Sequence, residues 1–329
     1  MPRDHHVRRK LKLRHLEILL GVAEAGSMAK AATRLAISQP AISRAIADAE
    51  QALGLPLFDR SRQGVEPTRY GRALVKRGIA AFDEIAQGEK DIAFLADPTR
   101  GELWIGSAPG LAEGIALAVV NRLSREYPRV VFHIVASLTG VDKVLRGRRV
   151  ELGFGRTSAS ALEMDLNTEV LFEDSLSVAA NVANRLLQHR KLKLSQLVDE
   201  PWTWPARGTE IDALVGEAFR KSGVEPPHAT VYADAINMRI RLAATGPYLA
   251  IIPTSTLKFP GMHPGVKMLP VELPTTRRQI AIFRLKNRTP SPLAQLFIEC
   301  AREIAQPLAS DRGVSGDITL GKRAGRQFA

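Results

Sequence analysis

The sequence predicts an α/β chain in which a small, all-helical N-terminal domain and one long helix precede a two-lobed domain of alternating strands and helices. Three observations predict it. Closely spaced helical stripes, each with its own cap residue, fill the region before Pro56; no proline interrupts Thr68 to about Leu95; and beyond Pro98 strand-like and helical segments take turns. A chain of 329 residues exceeds the size at which one core keeps growing, so two or three domains are expected. Its 45% hydrophobic and 24% charged residues are ordinary for a globular protein and exclude a chain too polar to fold.

Leu16, Leu19, Leu20 and Ala23 recur at helical spacing and form the stripe of a first helix, which Gly26 can end. Ser27 caps a second helix through Met28, Ala31, Ala32 and Leu35, whose small alanines allow close helix packing. Ser38 caps a third, with Gln39 and Pro40 in the first turn, where the N–H that proline lacks would have had no intrahelical partner. Its inner face is Ala41, Ile42, Ala45, Ile46 and Ala49, which leaves Gln39, Ser43 and Arg44 outward. Two short helices joined by a tight turn, the second presenting polar side chains at its start, is helix-turn-helix geometry. The turn-rich stretch from Leu57 to Thr68 then reads as a short hairpin, a wing. Taken alone, these helices fit an ordinary bundle with a solvated polar face as well.

Charge favours a polyanionic partner. The formal net charge is +12, and residues 1–82 hold 15 lysines and arginines against 7 aspartates and glutamates, so most of the excess lies in the first quarter. Nucleic acid is favoured over a membrane surface because no basic amphipathic anchor follows. Arg8 to Arg14 followed by the apolar Leu16 to Ala25 has the outline of a signal peptide, but Glu17 and Glu24 break the apolar run and no cleavage-type ending follows. No apolar stretch is long enough to span a bilayer, and a cytoplasmic location is expected. The single cysteine, Cys300, excludes an intrachain disulfide and lies in the helical stripe Leu293, Leu296, Phe297, Cys300 and Ile304, where it reads as a buried core thiol.

The run Ala25-Gly26-Ser27-Met28-Ala29-Lys30-Ala31-Ala32, then Leu35, Ser38-Gln39-Pro40-Ala41-Ile42-Ser43-Arg44, Glu50, Leu53-Gly54, Leu57-Phe58-Asp59-Arg60, Thr68 and Gly71 closely resembles the LysR-type transcriptional regulators. Met28 and Ala29 replace a commoner bulky residue and threonine, and Ala49 stands where leucine is usual; none of these touches the Ser-Gln-Pro core. The resemblance implies a winged helix-turn-helix over 1–67, a linker helix over 68–96 that makes a homodimer, a hinge over 97–101 and an effector-binding domain over 102–309 similar in fold to periplasmic binding proteins. It further implies double-stranded promoter DNA as partner, a small-molecule effector and contact with RNA polymerase; the full chain is expected to reach a homotetramer through its sensor domains. The residues expected at DNA are Ser27, Lys30, Ser38, Gln39, Pro40, Ser43, Arg44, Arg60, Arg62, Thr68 and Arg69. Of these, Gln39 and Ser43 suit base edges in the major groove, while Arg60 and Arg62 suit phosphates or a narrow minor groove.

Within the linker, Val75, Ile79, Phe82, Ala86 and Ala93 alternate spacings of four and three, the pattern of a helix that buries its seam against a second helix over roughly 40 Å at about 1.5 Å per residue. Asp97-Pro98-Thr99-Arg100-Gly101 ends it. Beyond, strands at Leu103 to Ser107, Val130 to Ser137 and Glu151 to Gly155 alternate with helices around Gly114 to Tyr127 and Val141 to Arg148, which predicts parallel sheets. The chain crosses to a second lobe near Phe172 and returns with the strand Gln279 to Leu285 and the helix Leu293 to Ala305. Residues 310–329, rich in Gly, Ser, Lys and Arg, read as a flexible tail.

Ligands of open α/β sheets bind beyond the carboxyl ends of parallel strands. That rule selects Ser107, Ala108 and Pro109, then Ser137 and Thr139, then Arg156 and Thr157 from the first lobe; Trp204, Arg207 and Thr209, at a helix start in the second, add free N–H groups and a charge suited to an anion. A carboxylated metabolite, such as a sugar acid or an aromatic acid, is expected. The competing reading is that the serines and threonines only cap helices and that Arg156 and Arg207 are surface residues.

Catalytic signals are accidental. Ser27-Met28-Ala29-Lys30 matches an S-x-x-K acyl-enzyme pattern, but Ser27 already serves as a cap and the companion S-D-N element is missing. The seven histidines form no ligand-spaced cluster, and Gly153-Phe154-Gly155 is half a dinucleotide fingerprint, so neither metal nor cofactor is expected and the chain is not read as an enzyme.

Overall fold

The computed structural model describes residues 11–61, 64–136, 140–157, 165–258 and 263–310, in two compact units that divide between Glu89 and Lys90. The predicted Arg62, Ser137 and Thr139, and the tail from 311 on, lie outside the described residues.

The first unit opens with α1 (Leu13–Ala25), α2 (Met28–Arg34) and α3 (Gln39–Leu53). Each boundary has a local cause. Gly26 takes a left-handed φ of 62° and its N–H donates to the Val22 carbonyl, closing α1. The Ser27 and Ser38 hydroxyl oxygens accept from the N–H groups of Lys30 and Ala41, opening α2 and α3. Ile18, Leu19, Val22, Met28, Ala31, Ile42, Ile46 and Ala49 form the core, whereas Ala41, read from the sequence as inward, is exposed in the first turn of α3. The wing is β1 (Phe58–Ser61) paired antiparallel with β2 (Gly64–Pro67). Glu50 of α3 fixes its base, because one carboxylate oxygen accepts from the N–H of Leu57 at 2.7 Å and of Phe58 at 3.3 Å.

The long helix α4 (Arg69–Ala96) spans 28 residues. Leu74 and Val75 pack on the core of the first unit. Further along, Ile79, Ile85, Ile92 and Leu95 are exposed, the last two by 70% and 76%. Ile85, Ile92 and Leu95 are absent from the predicted seam and widen it. The expected hinge is shorter than its five residues, since the next strand already begins at Arg100; Asp97 accepts from the Thr99 N–H and pairs with Arg100 and Arg129.

The second unit has two lobes. The first contains β3 (Arg100–Ser107), a helical turn (Pro109–Leu111), a π turn (Ala112–Ala116), α5 (Leu117–Glu126), β4 (Arg129–Ala136), α6 (Val141–Arg146), β5 (Leu152–Arg156) and β6 (Leu166–Asp174), and regains β12 (Arg278–Leu285) and α9 (Pro292–Ser310) at the end. The second holds β7 (Leu176–Asn181), β8 (Trp202–Pro205), α7 (Glu210–Lys221), β9 (Val231–Ala233), α8 (Ile236–Thr245), β10 (Leu249–Pro253) and β11 (Val266–Met268). The strand orders are β4-β3-β5-β12-β6 and β11-β7-β10-β8-β9.

The expectation of parallel sheets is corrected. In each sheet four strands point the same way and one runs against them: β12 lies antiparallel to its neighbours β5 and β6, and β7 antiparallel to β10 and β11. The antiparallel strands adjoin the two passages between lobes, where the chain enters a sheet from its neighbour rather than through a crossover helix. The passages are strapped together: Thr276 accepts from the Leu176 N–H, and Asp174 accepts from the N–H groups of Ser175 and Ser255 and from the Ser255 hydroxyl at 2.6 Å. Cys300 is buried among Leu293, Phe297 and Ile304, as its stripe predicts. Among the described residues no helix is long and apolar enough to cross a membrane, and no cluster of side chains could hold a metal ion.

Candidate functional site

Two surfaces carry the chemistry. On the first unit, Lys30 in the first turn of α2, Ser38 at the cap of α3, and Gln39, Pro40 and Arg44 on α3 are all exposed. Ser43 is only half-exposed, and its hydroxyl donates to the Met28 sulfur at 3.4 Å. That commits its proton inward and leaves its oxygen as an acceptor for an outside donor. Ser27 is partly buried at its cap. Arg60 occupies β1 opposite Val65.

Thr68, expected at DNA, is buried. Its hydroxyl donates to the Pro56 carbonyl at 2.7 Å and accepts from the Gly71 N–H at 3.1 Å, which caps α4 and ties it to the wing. Arg69 beside it is exposed, with its guanidinium 4.6 Å from the centre of the Tyr70 ring.

In the second unit, the carboxyl ends of strands from both lobes meet at a cleft of about 180 Å³. Ala108, Pro109 and Gly110 follow β3, Arg156 ends β5, Pro205 ends β8 with Ala206 after it, Ala233 ends β9 with Asp234 after it, and Ile251 and Pro253 come from β10. Of the residues predicted for an effector, Ala108, Pro109, Arg156 and Thr209 line this cleft. Thr209 is also a cap: its hydroxyl accepts from the Asp212 N–H at 3.2 Å and donates to the Ala206 carbonyl at 2.8 Å.

The other predicted residues among those described point elsewhere. Ser107 is fully buried and its hydroxyl donates to the Ala108 carbonyl. The Thr157 N–H donates to the Gln279 carbonyl, extending the sheet, and Thr157 does not line the cleft. Trp204 is buried on Trp202 and Phe219 and donates to Asp212. Arg207 lies 4.5 Å from the centre of the Tyr232 ring and donates to its hydroxyl. Trp204 and Arg207 line a separate, shallower depression with Arg220 and His228. Gly208, with a left-handed φ of 78°, turns the chain between Arg207 and Thr209, so neighbours in sequence serve different surfaces.

The sequence reading missed Arg239. It sits on α8 and is 6% exposed, donates Nη1 to the Ile251 carbonyl at 2.8 Å and lines the cleft, while its Nε is buried without a partner. Burial holds its pKa down at about 10 against the pull of Asp234 and Glu113. Across the cleft, Arg156 also has Nε and Nη2 buried without a partner, and burial lowers its pKa against Asp174 and Glu210. The signal was legible: Ile236, Arg239, Ile240 and Ala243 share one helical stripe, and a guanidinium at a core position needs a partner of its own.

Glu113, on the π turn, joins the lobes by accepting from the Asn237 amide at 2.7 Å. Its other oxygen is buried without a partner, and burial pushes its pKa up to about 7 although Arg239 opposes the shift.

Comparison with known proteins agrees with this architecture. Residues 96–306 match the LysR substrate binding domain, and residues 13–72 match the bacterial regulatory helix-turn-helix protein, lysR family. The chain is 26% identical over 299 residues to the uncharacterized HTH-type transcriptional regulator YdcI of Escherichia coli, an overlap of 89% of this chain and 96% of that protein. It is 26% identical over 290 residues to the transcriptional dual regulator GltC of Bacillus subtilis, covering 88% and 96% respectively. Among solved structures, CbnR, a LysR family transcriptional regulator, shares the fold with a TM-score of 0.57 at 22% identity, over 90% of this chain and 100% of that one. A full-length OxyR variant from Pseudomonas aeruginosa gives 0.61 at 20% identity, over 89% and 95%. With both family domains matched in order across most of its length, this chain belongs to the LysR family of transcriptional regulators, a DNA-binding helix-turn-helix ahead of a substrate-binding domain.

Proposed function

We propose that this regulator works in the cytoplasm, reads promoter DNA with the start of α3, and responds to a small anionic metabolite held between the lobes of its second unit. The observation that carries the ligand reading is the pair of guanidiniums, one from each lobe, that line a single cleft with buried N–H groups unspent. A buried cation without a partner is costly, and a carboxylate offers two oxygens with the geometry to satisfy it. Because Arg156 and Arg239 belong to different lobes, one bound anion would draw on both and bias the cleft toward a closed state. The test is calorimetric titration of the purified chain with small carboxylates, paired with a mobility shift on the promoter beside its own gene. Carboxylate binding that alters the shift supports the reading; carboxylates that neither bind nor change the shift overturn it.

For DNA, CbnR has been solved in complex with its target DNA, and the equivalent surface here would be the exposed start of α3. Gln39→Ala is expected to cost about 1 to 3 kcal/mol of discrimination between operator and random sequence. Competition mobility shifts measure it. An unchanged ratio would move base reading to another face.

Assembly follows from α4. Ile85, Ile92 and Leu95 add exposed apolar surface to the seam, Ile92 and Leu95 most of all, and a second α4 supplies the matching surface for a homodimer. The full chain then forms a tetramer through its substrate-binding domains. Ile92→Glu is expected to yield soluble protein of halved mass by sedimentation, with its helical content retained, because Ile92 is 70% exposed on its own chain. An unaltered mass would remove α4 from the interface.

A further inference from the structure

The charges around the cleft narrow the ligand beyond a simple anion, an inference that rests on the anion reading above. Five carboxylates surround the two guanidiniums, and three of them are already engaged. Glu113 accepts from the Asn237 amide at 2.7 Å, Asp142 pairs with Arg146 at 2.9 Å, and Asp174 is held by Ser175 and Ser255. Glu210 and Asp234 are different. Both line the cavity and are exposed at its rim, and neither forms an ion pair or a side-chain hydrogen bond among the described residues. Each lies within Coulombic reach of one floor cation, Glu210 of Arg156 and Asp234 of Arg239, without contacting it.

The wall therefore carries two separated pairs of opposite charge, with Arg239 buried, Arg156 half-buried with two of its nitrogens covered, and both carboxylates exposed. A ligand with the reverse order of charge completes both. A second anionic group would be set against Glu210 and Asp234, and an apolar tail would leave them unchanged. The cleft of about 180 Å³ suits a small molecule rather than a polymer. We propose that the cleft takes a small zwitterion of the amino-acid type, its carboxylate toward Arg156 and Arg239 and its ammonium toward Glu210 and Asp234.

Calorimetric titration of the full chain with four matched compounds tests this: butanoate, 2-hydroxybutanoate, 2-aminobutanoate and succinate. The expected result is that 2-aminobutanoate binds about tenfold tighter than each of the other three, the scale of one well-placed ion pair. In the double variant Glu210→Gln, Asp234→Asn, whose altered side chains are exposed, the ratio of 2-aminobutanoate to butanoate affinity is expected to fall to about one, with the thermal midpoint recording retention of fold. Succinate binding tightest assigns a dianion and overturns the proposal. Equal binding of the hydroxy and amino compounds assigns hydroxyl recognition and also overturns it, as does a double variant that keeps its preference. If no carboxylate binds, or if Arg239→Met leaves butanoate affinity unchanged, the anion reading itself fails, and that outcome is distinct from the others.

Discussion

Arg239→Met is expected to weaken every carboxylate that the cleft binds by about a hundredfold, because truncating one partner of a buried, charged hydrogen-bonded pair costs about 2 to 5 kcal/mol. Methionine keeps much of the apolar stem that packs beside Ile236 and Ile240, so the loss falls on the charge rather than on packing. The fold should tolerate the change. Arg239 gives one hydrogen bond, to the Ile251 carbonyl, while its Nε has none, and replacing a poorly paired buried ion with an apolar side chain is often neutral for stability. Calorimetry gives the affinity and a melting curve the stability. A variant that melts normally and binds carboxylates as before would take Arg239 out of the site. One that unfolds would make Arg239 structural, and Arg156→Met would then report on the anion independently.

Gly71→Ala is expected to abolish DNA binding by unfolding the first unit. A Cβ at Gly71 would stand 2.0 Å from the Leu57 carbonyl oxygen. Leu57 cannot retreat, because its own N–H is held by the Glu50 carboxylate and its carbonyl by the Thr68 N–H. Overpacking against flexible side chains costs about 1 to 3 kcal/mol, and backbone pinned from both sides places this case at or above the upper end. A domain this small has little more than that to lose. Gly78→Ala is the control, since its Cβ would meet only the Leu20 side chain at an ordinary 3.6 Å; it should be neutral or gain about 0.5 to 1 kcal/mol from helix propensity. Thermal melts and a mobility shift on both variants check the pair. Equal behaviour would mean that the wing does not constrain the start of α4.

Much of the architecture was legible along the chain. The caps Ser27 and Ser38, the left-handed Gly26, the proline-free α4 and the alternation of β3, α5, β4, α6 and β5 all depend on interactions within a few residues, which local spacing encodes directly. The fixed motif at α2 and α3 placed the exposed Gln39 and Arg44 correctly. It did not reveal that Thr68 and the Ser43 proton are spent internally, because Pro56, Gly71 and Met28 reach them only through folding. The strand-end rule found Ala108, Pro109 and Arg156 on the cleft wall, and the helix-start reading found Thr209, since strand ends and helix starts are themselves local features.

What the sequence determined, then, is the order of parts, the helix boundaries, the exposed start of α3 and the existence of a cleft at the carboxyl ends of the strands. Tertiary structure alone decided the antiparallel placement of β7 and β12, the diversion of Arg207 onto Tyr232, and the meeting of Arg239 with Arg156 from opposite lobes. The reason is physical. A cap or a stripe is satisfied by neighbours in sequence, but whether a buried guanidinium keeps a free N–H depends on which carbonyls and carboxylates distant segments bring to it, and for Arg239 the Ile251 carbonyl accepts from Nη1 while Nε has no partner.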